Sequence, residues 1–138
     1  MIEFSISRRG ILLAAAGLAV SSGCASEADR INRLVFNAVR KDPLFLWHPA
    51  WAIGTSDREI RLGGIYPEAA PSLKHDLEGR PLPSTALNDA INVALSGGWQ
   101  ARDDGLGYAK PIAEGQSRLW LTLSDYRDLN VLSMNFVG

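Results

Sequence analysis

Two stretches near the C-terminus, RLWLTLS over Arg118–Ser124 and VLSMNFV over Val131–Val137, alternate apolar and other residues with a period of two. That period puts Leu119, Leu121 and Leu123 on one face of one strand, and Leu132, Met134 and Phe136 on one face of the next. The intervening DYRD, Asp125–Asp128, supplies a turn, so the pair predicts an antiparallel hairpin. A hairpin with one Leu/Met/Phe face is stable only when another layer covers that face. The same alternation sends Trp120 to the opposite side with Thr122, Val131 and Ser133. If that side is left bare, the four form a partly apolar patch of the kind that marks a contact site.

Two amphipathic helices are available as cover. Ser26 can cap a helix whose first turn is acidic at Glu27 and Asp29, and Ile31, Leu34, Val35, Ala38 and Val39 give it one apolar stripe. Arg40 and Lys41 suit its end, and Pro43 stops it. Ser84 or Thr85 can cap a second helix with the stripe Leu87, Ile91, Ala94 and Leu95, ended by Gly97-Gly98. Further strand signals are shorter: Glu59–Ile65 before the glycines, Trp99–Arg102, and Gly107–Ile112, which Pro111 demotes towards an edge, with a turn at Asp103–Gly105. Tyr66–Ser84, with four prolines, reads as a long loop, either a functional excursion or one holding a short helical turn at Leu73–Leu77. The expectation is an α+β fold, two helices packed on one face of a mainly antiparallel sheet of about four to five strands.

The N-terminal SRRGILLAAAGLAVSSGC, Ser7–Cys24, has the order of an export signal: a basic start at Arg8 and Arg9, an apolar run, then small residues. The run, Ile11–Val20, is about ten residues, against roughly 20 for a helix that spans a bilayer. Residues 1–23 are therefore assigned to a removed signal and residues 24–138 to one domain. About 115 residues are enough to bury roughly 60–70% of the surface of the unfolded chain. Setting aside Glu3, Arg8 and Arg9 leaves 12 basic and 14 acidic residues. The basic ones are scattered, which argues against a nucleic-acid surface.

Familiar catalytic patterns are missing. His48 and His75 have no HxxxH or HExxH spacing, and the single Cys, Cys24, offers no thiolate cluster, so neither a metal site nor a cofactor is expected. Asp125, Asp128 and Asn130 lack the Gly and closing Glu of a calcium loop. Gly105-Leu106-Gly107 is not a phosphate cradle, and no Ser stands in GxSxG. No catalytic residue is assigned. The aromatic residues Trp47 and Trp51, in LFLWHPAW, and Trp120 are the expected interaction surface, because large amphipathic rings are favoured where two surfaces meet. The competing expectation is that Phe45, Trp47 and Trp51 roof the core beneath the first helix.

SRRGIL resembles a twin-arginine signal, with Ile11 and Leu12 in its apolar places and Leu13 where Lys is common. VSSGC resembles a lipobox, with Gly23 and Cys24 matching and Ser21 where Leu is usual. Together with an amphipathic helix and a second helix ending in GGW, these motifs make the chain similar to small twin-arginine-exported lipoproteins of high-GC Gram-positive bacteria. The resemblance implies acylation of Cys24 by chains such as palmitate, and a place on the outer face of the cytoplasmic membrane. It implies no particular activity. Gly23-Cys24-Ala25 equally fits ordinary cleavage after Ala25. The leading expectation is a membrane-anchored, non-enzymatic module that binds an envelope protein or a wall component. The alternatives are an envelope hydrolase or transferase using His48 or His75 with Asp103 or Asp104, and a soluble secreted carrier with an enclosed apolar pocket.

Overall fold

The structure is a computed structural model that describes residues 27–63, 70–112 and 117–138. Signal, lipobox and the Ser26 cap lie outside the described residues.

Helix α1 spans residues 27–41, as its apolar stripe predicts, and buries Val35 and Val39 together with Phe36 and Asn32. Pro43 ends it and at once begins another helix, α2 (Pro43–Leu46). Asp42 is the N-cap, its carboxylate accepting the Leu44 N–H at 3.0 Å, and proline suits the first helical position because its missing N–H would have had no partner there.

Six strands follow: β1 (Gly54–Ile60), β2 (Ser72–Glu78), then, after helix α3 (Ala86–Ser96), β3 (Gln100–Ala101), β4 (Tyr108–Pro111), β5 (Arg118–Tyr126) and β6 (Val131–Val137). They form one sheet in the order β1-β2-β6-β5-β4-β3, every neighbouring pair antiparallel. The α+β class is thus as expected, with six strands and three helices in place of four to five strands and two helices. The C-terminal hairpin of β5 and β6 has the predicted faces: Leu119, Leu121, Leu132, Met134 and Phe136 are buried in the core, with Leu123 packed against it. A three-residue 3₁₀ turn, Arg127–Leu129, and Asn130 in the left-handed region close it.

Three expectations are corrected. The strand placed at Glu59–Ile65 ends at Ile60 and starts at Gly54; its GTSDREI sequence is polar because β1 is an edge strand with most of its length in solvent. The loop placed at Tyr66–Ser84 contains β2, in which Leu73, His75 and Leu77 alternate inward. The stripe of α3 is rotated: Ala86, Ala90 and Ala94 are buried, while Leu95 is exposed. Small residues at i, i+4 and i+8 let this helix lie close to the sheet, and the larger Leu87 and Val93 pack at its flanks.

The core lies between the sheet and the helices, with Trp99 tilted against Phe136 at 5.9 Å between ring centroids. Asn32 ties α1 to the end of β1 by mimicking a backbone partner. Its side-chain nitrogen donates to the Leu62 carbonyl (3.1 Å) and its oxygen accepts the Leu62 N–H (2.8 Å). At Gly107, φ is +126°, and a Cβ would stand 2.3 Å from the Leu121 carbonyl oxygen, so only glycine permits the entry to β4.

Candidate binding face

All the core side chains of β2, β5 and β6 point to one side of the sheet, so the other side is set by the residues between them. Register arranges that second face in rows. Arg58, Lys74, Asn135 and Thr122 stand directly across from one another on β1, β2, β6 and β5. One row along lie Ser56, Asp76, Ser133 and Ser124; on the other side lie Ile60, Ser72, Val137 and Trp120. No described helix covers this face. Its floor is made of short hydroxyl and amide side chains with two cations, and a hollow of about 330 Å³ opens over it between Arg58 and Tyr126.

Trp120 is on this face, as its alternation predicts, and 37% exposed. Its ring is not bare, because the Arg102 guanidinium lies over it at 4.5 Å from the centroid. Arg102 in turn donates to Asp104 at 2.5 Å. The Leu106 backbone N–H, which also donates to Asp104, together with the Arg102 guanidinium holds the Asp104 carboxyl below its ordinary value. The patch of Trp120, Thr122, Val131 and Ser133 is thus part of a wider and more polar surface.

Arg58, Lys74, Asp76 and Asn135 were not singled out by the sequence. The signal for two of them, Lys74 and Asp76, is the L-K-H-D-L alternation of Leu73–Leu77, which reads as a strand once His75 is accepted as an inward residue. One Asp76 carboxylate oxygen is closed to solvent and accepts no hydrogen bond from the described residues.

Trp47 and Trp51 meet edge to face at 6.1 Å and pack against the core, as roofing residues would. The Trp51 Nε1 is buried with no acceptor among the described residues. Neither ring lies on the open face.

The residues proposed for hydrolysis do not converge. His75 is 5% exposed beneath Phe45, 4.5 Å between ring centroids, and its Nδ1 is hydrogen-bonded to Asp57 on the helix side of the sheet. Arg40 adds a contact to Asp57 at 3.9 Å and an ion pair to Glu59 at 2.6 Å. Asp103 and Asp104 are in the β3–β4 turn, and His48 is exposed with no carboxylate partner among the described residues. A buried carboxylate, Asp42, is consumed structurally by Trp99 and Lys110. Among the described residues no three His, Cys, Asp or Glu side chains come together as metal ligands. A second hollow of about 370 Å³, walled by Leu87, Ile91 and Leu106, lies between α3 and the β3–β4 hairpin. It opens to solvent at Leu106, which is exposed, so it is not an enclosed carrier pocket.

No protein-family model matches the chain, and no curated protein or solved structure is similar to it at a significant level.

Proposed function

We propose that the chain is an extracytoplasmic lipoprotein, held on the cytoplasmic membrane by acylated Cys24, that binds an envelope partner or wall component through the open face of its sheet and carries out no catalysis. The observation that carries the binding reading is the second face, which no helix among the described residues covers, with its polar floor and its hollow of about 330 Å³. A sheet with one face buried needs nothing on the other, and most such faces are uniformly solvated. Here the face holds a hollow in which two cations stand with hydroxyl and amide side chains, groups that can orient a polar ligand by hydrogen bonds and charge. The anchor reading is supported by the order of basic, apolar and small residues before Cys24, and by a helix already formed at residue 27. Among the described residues no helix is long and apolar enough to cross a membrane.

The anchor is tested by the intact mass and cell fraction of the native protein, with Cys24→Ala as control. A membrane-bound species beginning at Cys24 and heavier by acyl chains is expected. A soluble species beginning at Ser26 without added mass overturns the anchor. The binding face is tested in cells by a photo-crosslinking residue at Thr122, compared with one at the exposed Asn37 on α1. Discrete adducts at Thr122 alone are expected; adducts of equal yield at both positions, or at Asn37 alone, overturn the open face as the binding surface.

A further inference from the structure

Arg58 and Lys74 are direct cross-strand neighbours on the open face. Like charges in that arrangement repel, with Cβ atoms about 4.5–5.5 Å apart. Neighbouring cations are neutralised: Arg40 and Arg61 by Glu59, and Arg80 by Glu78. Arg58 and Lys74 have no ion-pair partner among the described residues. The two cations, unpaired among the described residues, therefore stand side by side at one wall of the hollow of about 330 Å³. That volume is at the small end of small-molecule sites, about 300–1,000 Å³.

We propose that this hollow takes a carboxylate-bearing sugar ring, a uronic-acid unit of an acidic saccharide. The proposal rests on the open face being the binding surface. The carboxylate is received between Arg58 and Lys74, where it relieves their repulsion, and a guanidinium offers paired donors matched to a carboxylate. The ring hydroxyls lie over Ser72, Thr122, Ser124 and Asn135, which both donate and accept as hydroxyls require. The count of charges favours a monoanion. Arg58 and Lys74 bring two positive charges and Asp76, the next residue outward on β2 in the same face, brings one negative charge, leaving one to be met. A stacked single-stranded nucleic acid suits the face less well, because it needs successive free ring faces, and with Arg102 over Trp120 the hollow offers Tyr126 alone among the described residues.

The test is calorimetric titration of the full mature protein in detergent with a trimer of galacturonic acid, with a neutral glucose trimer, glucose 6-phosphate and a short single-stranded oligonucleotide as comparisons. The uronate is expected to bind, to weaken with salt, and to weaken at least tenfold in Arg58→Gln and in Lys74→Thr. Trp47→Ala, away from the face, is expected to bind as the parent does. Lys74→Thr is expected to keep or raise the thermal midpoint, which separates a lost ligand contact from a lost fold. Four results overturn the proposal: uronate binding unchanged in both variants, equal binding of the neutral trimer, tighter binding of glucose 6-phosphate, or binding of the oligonucleotide alone. If Thr122 crosslinks in cells while no uronate binds, the ligand class falls and the binding face stands. If neither occurs, both fall.

Discussion

The Asp42 carboxylate accepts a hydrogen bond from Trp99 Nε1 at 2.9 Å, joining the cap of α2 to the residue that leads from α3 into β3. Its other oxygen accepts from Lys110 Nζ at 2.5 Å, so one buried side chain links the helical layer to two places in the far half of the sheet. With 2% of the Asp42 side chain exposed, removing it strands an indole N–H and an ammonium at once.

Asp42→Ala is therefore expected to cost about 3–5 kcal/mol, the range for breaking one side of a buried ion pair. Asp42→Asn, which keeps an acceptor for Trp99, is expected to lose less. Urea unfolding of the two variants side by side measures the difference, and equal losses would show that the hydrogen bond from Trp99 carries none of it and the ion pair with Lys110 carries the rest.

Trp99 and Trp120 differ in where their rings lie, and truncation reads that difference. Trp99→Ala removes a buried core ring and is expected to cost about 3–5 kcal/mol. Trp120→Ala loses a cation–π contact with Arg102 at a partly exposed position, about 0.5–1 kcal/mol. Comparable losses in denaturant would place Trp120 in the core and remove it from the proposed binding face.

Without ligand, Lys74→Thr is expected to stabilise the protein by up to about 1 kcal/mol, because it removes a like-charge neighbour of Arg58 and places a β-branched residue in a strand. The gain should shrink as salt is added, since screening weakens the same repulsion in the parent. A loss of stability at low salt would mean that Lys74 has a favourable partner.

Acid is expected to loosen the cover on Trp120. The Asp104 carboxyl is held below its ordinary value, first by the Leu106 N–H and then by Arg102, so the folded turn favours the charged form. The contribution is complete above the ordinary carboxylate range and is lost as pH falls through the lowered value. Indole emission measured down to strongly acidic pH should change there in the parent and not in Asp104→Asn.

The C-terminal hairpin and α1 were legible because each has enough apolar residues to display a period. β1 was not, because an edge strand needs no buried face and Thr55–Glu59 contains no apolar residue. β2 was hidden by a histidine at an inward position and by the prolines on either side; Asp57 makes that histidine acceptable by taking its Nδ1. In α3 the large residues Ile91 and Leu95 dominate the apolar pattern, whereas close packing against the sheet selects the alanines. The outward direction of Trp120 could be read from one strand alone. The pairing of Arg58 with Lys74 could not, since it depends on the register between strands 18 residues apart along the chain at Asp57 and His75.

The charges of β1 also bear on what happens when many copies share a surface. An edge strand of seven residues offers a row of backbone donors and acceptors to any neighbour that can align with it. Tethering confines molecules to two dimensions and raises their encounter rate along such edges. The run Asp57-Arg58-Glu59 disfavours strand-to-strand joining of copies, so under the proposed anchor the domain would be protected from zipping into fibres where copies crowd.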